Sequence, residues 1–360
     1  MGKVVYLFGA GASYGVRDKL TPRIDYSLEY RNYKGVHQKI EGSAPNIVEG
    51  LPIVAELPER MDYIRYLIKK EIKDLAIDTK PEAPMFERLE ESLAWLQEAS
   101  QGHATVDTFA KKLFLTGRVE EYDRLKRTLC AYFLLEQLTN KVDKRYDAFL
   151  AAVLGSNASD LPDNIRILSW NYDVQLELAY SEYLQDNNLD TIEQAFLCFN
   201  KTLDVNRYRR GNGFRVIKLN GSALVYNRST RSIYNPFIDT INLDVLNNVS
   251  SLIYDSSYDC ALSFAWENAD DFFFEKIKCN ISDAEVLVVI GYSFPNFNRT
   301  VDKILFQSMP ALKTIYIQDI APAPIEQSVS NLLTPSHAKI NKTKIEPRNQ
   351  TQQFYLPPEL

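Results

Sequence analysis

Apolar residues along this chain fall into two kinds of run: short unbroken stretches, and longer stretches at helical spacing. The short runs 4–8, 165–169, 215–219, 285–290 and 313–318 are rich in β-branched residues, and each ends in a turn or a helix. Val286 to Ile290 is apolar throughout, which is the pattern of a strand covered on both faces, as in a parallel sheet. The predicted architecture is therefore α/β, a doubly wound, Rossmann-like parallel sheet. Between the first and second strands, from about 55 to 155, the period changes. Leu57, Met61, Ile64 and Leu67 recur at helical spacing, as do Phe109 and Leu113, then Leu125, Leu129, Phe133, Leu134 and Leu138. One crossover helix needs far fewer residues, so this stretch is read as a large helical insertion leaning over the carboxyl edge of the sheet. Thr105 or Asp107 is the expected cap of a helix starting near Val106.

Residues 17–50 are polar, with scattered Gly and Pro and the aromatic residues Tyr26, Tyr30 and Tyr33. They read as a mobile loop, either a lid over a ligand bound beside the first turn or a disordered excursion. The aromatic clusters in 225–275 (Phe264, Trp266, Phe272, Phe273 and Phe274) read as core, and there is no internal repeat. The expected organisation is one domain over 1–334, including the insertion, followed by a polar tail over 335–360.

Composition narrows the classes. The chain has 360 residues, 45% of them hydrophobic, which is enough for a substantial core. A net charge of −6 argues against nucleic acid as the main partner, and the small basic group Arg207, Arg209 and Arg210 reads as a solvated loop. The four cysteines, Cys130, Cys198, Cys260 and Cys279, form no C-x-x-C pair, so no zinc ribbon and no metal are expected. The chain opens directly on a strand, and no apolar run approaches the ~20 residues that span a bilayer, so neither signal peptide nor membrane is expected. Met1-Gly2 is followed by Tyr6 where a myristoylation signal needs Ser or Thr. A reducing cytoplasm is the expected compartment.

The candidate chemistry lies just past the strands, where ligands of open parallel sheets bind. After the first strand comes Gly9-Ala10-Gly11-Ala12-Ser13, a glycine-rich turn read as opening a helix and as a cradle where phosphate oxygens reach backbone N–H groups. It departs from G-x-G-x-x-G, since Tyr14 stands where the third glycine belongs. The later strands end in Trp170-Asn171-Tyr172-Asp173, Asn220-Gly221-Ser222, Gly291-Tyr292-Ser293-Phe294-Pro295 and Asp319. Small and polar residues at all five ends point to a nucleotide pocket.

These motifs, together with Leu51-Pro-Ile-Val-Ala-Glu-Leu57, resemble the sirtuin-like family, in particular its bacterial members in anti-phage defence. The resemblance implies NAD as substrate or ligand, with Gly9, Ala10, Gly11 and Ser13 at its phosphates. It implies Asn171 and Asp173 near the nicotinamide ribose, Gly291 and Ser293 on the ribose side, and Asp319 at the adenosine end. The missing zinc ribbon points to the zinc-free branch that hydrolyses NAD, not to deacetylation. One departure falls on the chemistry. The family's His-Gly, whose imidazole is the general base, reads Asn220-Gly221 here, and an amide takes no proton at neutral pH.

Cleaving the nicotinamide–ribose bond needs a dry, bent pose and negative charge near C1′, for which Asp173 and the amide oxygens of Asn171 and Asn220 are the candidates. Loss of the base is then expected to slow the reaction and not to abolish it. None of the histidines, His37, His103 and His337, lies in a family motif, and His103 reads as an exposed loop residue. Two readings stay open: an NAD glycohydrolase of a defence system, working as a homo-oligomer or with a partner protein, and a catalytically weakened NAD or ADP-ribose sensor or structural subunit. A Rossmann oxidoreductase is disfavoured, because the stretch carrying Asp25 and Glu29 has no apolar strand to place an acid ~20 residues past the glycine turn.

Overall fold

The computed structural model describes residues 3–32, 34–74, 83–200, 213–230, 233–234, 241–267 and 271–360. Tyr33, Arg207, Arg209 and Arg210 lie outside the described residues. The described strands are β1 (Lys3–Phe8), β2 (Val16–Arg17), β3 (Arg23–Arg31), β4 (His37–Pro45), β5 (Ile47–Glu49), β6 (Ile165–Ser169), β7 (Phe199–Asn200), β8 (Arg215–Lys218), β9 (Gly221–Asn227), β10 (Tyr258–Leu262), β11 (Ala284–Ile290), β12 (Thr314–Gln318) and β13 (Lys344–Arg348). The chain divides into two compact units. One comprises 1–13, 143–222 and 263–360, and the other comprises 14–142 and 223–262.

The first unit is built on a seven-stranded sheet of order β13-β12-β11-β1-β6-β8-β7. Every neighbouring pair is parallel. Helices flank it, and the fold is a Rossmann-like, doubly wound α/β sheet. Alternation along β1 distributes its side chains. Val5 and Leu7 join a buried cluster with Leu287, Val289, Ile315 and Ile317, packed against Phe273 and Ile277 of helix Asp271–Ile281 and Leu305 and Phe306 of helix Arg299–Gln307. Tyr6 and Phe8 face the other way, with ring centroids 5.1 and 6.4 Å from Phe149 of helix Lys144–Val153. That last helix of the expected insertion therefore belongs to the sheet's cover.

The stretch read as a polar tail also belongs to this unit. Lys344–Arg348 is the parallel edge strand beside β12, and the Gln318 amide donates to the carbonyls of Gln350 and Gln353 at 2.5 and 2.6 Å. Phe354 is buried, with its ring 5.3 Å from Phe8. The edge strand reads Lys-Ile-Glu-Pro-Arg and is only half buried, so its apolar signal is weak.

The second unit holds the helices Leu57–Asp74, Ala83–Gly102, Val106–Leu115, Val119–Thr139 and Leu243–Tyr254. Of the two expected caps, Thr105 is the one used: its Oγ1 accepts from Thr108 N–H at 3.1 Å. Arg60 joins two of these helices through a fully buried pair, its Nη2 lying 2.6 Å from Glu136 Oε1. The expected mobile loop over 17–50 is instead an antiparallel hairpin, β3 with β4, plus the short pair β2 and β5. Ile24, Tyr26, Leu28 and Tyr30 alternate with Arg23, Asp25, Ser27, Glu29 and Arg31, and this face packs Tyr26 against Tyr63 and Tyr66 of the first helix.

Candidate functional site

The sheet order reverses at β1: later strands are added on its β6 side and then on its β11 side. The crevice beyond β1 and β11 is thus the topological switch point, the usual ligand position in such sheets. Gly9, Gly11 and Gly291 meet there backbone to backbone. Gly9 N–H donates to Ile290 O at 3.0 Å, Gly11 N–H to Gly291 O at 2.9 Å and Ala12 N–H to Gly9 O at 2.8 Å. A Cβ on Gly11 would lie 2.6 Å from Gly291 Cα, and Gly291 has φ +59°.

This geometry changes the reading of the glycine turn. No α-helix follows it; Ala10–Ser13 is a four-residue 3₁₀ turn, and the N–H groups of Gly9, Gly11 and Ala12 are already donated within the protein. The glycines serve close backbone packing at the crevice floor, so the expected phosphate cradle at a helix N-terminus is absent at these three N–H groups. Arg145 fixes the turn from outside, its Nη2 donating to Gly11 O and Ala12 O at 3.0 and 3.1 Å while its guanidinium pairs with Asp143.

Ser13, Asn171 and Asp173 converge. Asn171 Nδ2 donates to Ser13 Oγ at 3.1 Å, and Ser13 Oγ shares a 2.9 Å hydrogen bond with Tyr146 Oη. Burial pushes the Asp173 carboxyl above its ordinary range, opposed by the Lys218 ammonium and the Gln175 N–H. Lys218 donates to Asp173 O at 2.9 Å and pairs with Glu177 at 2.7 Å, so this buried group holds two carboxylates and one ammonium. Burial first, and then the Asp173 charge, raise the Tyr146 phenol. Asn220, after β8, reaches the same neighbourhood, with Nδ2 3.4 Å from Trp170 O.

The remaining predicted residues lie further out. Ala10 and Ser293 are exposed, Ser293 on a turn whose neighbour Phe294 has φ +56°. Asp319 Oδ1 accepts from Ala321 N–H at 2.9 Å in the turn before helix Pro322–Ser330, and no geometry ties it to the cluster. His337 is buried in a structural role, its Nε2 2.8 Å from Met309 O, and His103 Nδ1 lies 2.9 Å from Ala99 O. A cavity of about 390 Å³ lined by Phe149, Phe354, Leu356, Gln353 and three alanines carries no ionisable side chain and is not part of the site. Among the described residues, no group of three or more His, Cys, Asp or Glu side chains is placed to hold a metal ion, and no helix is long and apolar enough to cross a membrane.

Sequence reading missed Tyr146, Arg145, Lys218 and Asp302. Only Asp302 had a signal, an acid between Val301 and Leu305 on the buried face of its helix. Its carboxylate accepts from Tyr292 O–H at 2.9 Å, and Tyr292 stacks on Trp170 at 5.8 Å, so Asp302 braces the turns that carry Asn171 and Ser293. Burial raises its carboxyl from 3.8 to about 7, opposed by the Tyr292 hydrogen bond. A raised carboxyl favours the folded state while protonated in it, so this stability is present below pH ~4 and is lost as pH rises through about 7. At ~1.4 kcal/mol per unit the swing is on the order of 4 kcal/mol. Asp302→Asn is expected to be more stable than the native chain at pH 8, with the gap closing toward pH 5. Urea midpoints at the two pH values check this, and parallel pH dependences of the two chains would refute it.

The fold is an α/β sheet of Rossmann-like, doubly wound class, with a buried polar cluster beyond β1 and β6, beside the switch point between β1 and β11. Comparison with protein-family models, with curated proteins and with solved structures returns no match. The likeness to the sirtuin-like family therefore rests on the sequence motifs alone.

Proposed function

We propose that the chain binds NAD at the switch-point crevice and hydrolyses it slowly to nicotinamide and ADP-ribose, as an effector of anti-phage defence acting in the cytoplasm as a homo-oligomer or with a partner protein. The observation that carries this reading is the convergence of Ser13, after β1, with Asn171 and Asp173, after β6 and at least 158 residues further along the chain, on one hydrogen-bonded group beside the switch point.

The chemistry follows from that group. A departing nicotinamide leaves an oxocarbenium-like sugar, and preorganised negative charge stabilises it most in a dry site. Asp173 supplies the charge, Asn171 and Ser13 orient the ribose, and burial excludes water until the site opens. The orphaned, buried Asn220 Oδ1 fits a ligand beside this group. Asn220 also favours the second reading, an NAD or ADP-ribose sensor without turnover, because it supplies no base.

The test is to incubate purified protein with NAD, following binding by calorimetry and nicotinamide by chromatography. Binding with slow release, both lost in Asn171→Ala, is the expected result. Binding without release in any assembled form selects the sensor, and absence of binding to both NAD and ADP-ribose overturns the proposal.

A further inference from the structure

Two adjacent buried residues carry polar atoms that the packed chain leaves unanswered. Ser263 N–H donates to Asn220 O at 2.8 Å, which sets the two residues side by side, one just after β8 and the other just after β10. Asn220 is 6% exposed and Ser263 is 2% exposed. Among the described residues, neither Asn220 Oδ1 nor Ser263 Oγ has a hydrogen-bond partner.

A buried hydroxyl or amide oxygen without a partner bears its full desolvation cost, so such atoms are rare unless something else answers them. Their surroundings belong to the candidate site. Asn220 reaches back to Trp170 O, the residue before Asn171. Phe264, next to Ser263, meets the Tyr172 ring edge-on at 6.3 Å and stacks on Trp266 at 4.9 Å. Trp266 in turn lies 5.6 Å from Phe297, on the segment that follows Ser293. The pair thus sits beside an aromatic wall that links the segments after β6, β10 and β11.

We propose that Asn220 Oδ1 and the Ser263 hydroxyl form a ligand-reading pair, the first accepting and the second donating, for a group that presents a donor beside an acceptor. Vicinal ribose hydroxyls and a primary carboxamide share that chemistry, and NAD carries both. The inference rests on the NAD reading and adds Ser263, which lies in none of the strand-end motifs.

The pair has a signature that a structural serine lacks. Removing an unanswered hydroxyl relieves the empty protein while weakening the complex. Ser263→Ala is expected to keep or raise Tm without ligand and to weaken NAD binding roughly 3- to 10-fold, the worth of one hydrogen bond. Calorimetry with NAD, ADP-ribose and nicotinamide separates the two sources. Weakening shared by ADP-ribose identifies the ribose, and weakening shared by nicotinamide identifies the carboxamide. A lowered Tm, or NAD binding unchanged by Ser263→Ala, overturns the pair while leaving the NAD reading standing. A native chain that binds none of the three overturns that reading and the pair with it.

Discussion

Nicotinamide release by an Asn220→His chain is expected to exceed that of the native chain by roughly 10²–10⁴-fold, the usual worth of a general base. Position 220 follows β8 and touches the backbone of Trp170, so an imidazole there enters the neighbourhood of Asn171 and Asp173. Departure of neutral nicotinamide from its positively charged ring nitrogen needs little proton transfer, but the capture of water, which must lose a proton, requires it. The gain is therefore expected in kcat, with NAD affinity falling by no more than the roughly 3- to 10-fold worth of the one hydrogen bond that Asn220 Oδ1 accepts. A pH–rate profile should acquire an ionisation near the ordinary imidazole value of ~6.5. Equal turnover by the two chains, both binding NAD, would show that the pocket lacks productive geometry and that the sensor reading holds.

Gly291→Ala is expected to cost roughly 2–5 kcal/mol of stability, from overpacking of about 1–3 kcal/mol and a left-handed backbone of about 1–2 kcal/mol. The two terms have separate causes. A Cβ at 291 would stand 2.3 Å from Gly11 Cα and 2.7 Å from Ala12 N, and backbone cannot swing aside as a flexible side chain can. The φ of +59° adds strain whatever the space. Gly35→Ala isolates the second term, since Gly35 has φ +75° and nothing within 4 Å of its Cβ position. Urea unfolding of both variants checks this, and equal losses in the two would mean that the contact between the glycine turns is not tight.

How much of the site was readable depended on whether a local pattern encoded it. Gly9, Gly11, Asn171, Asp173, Asn220 and Gly291 follow strands whose apolar runs are unmistakable, so their place beyond the strands could be inferred. Tyr146, which holds Ser13, lies 133 residues away on a helix with an ordinary amphipathic pattern. Nothing local distinguishes it. The hairpin β3–β4 is a different case, because its period-two alternation was present and was outweighed by the high polarity of the surrounding stretch.

The sequence by itself determined the five principal strands, their parallel class and the helical character of the insertion. These follow from local periodicity and composition, which are complete in any window of a dozen residues. Only the tertiary structure decided that Lys344–Arg348 closes the sheet as its edge strand, that the first turn stops at one 3₁₀ turn, and that Gly11 and Gly291 touch. Each of these depends on which distant backbone lies alongside, and a contact between residues 280 positions apart leaves no period in either segment.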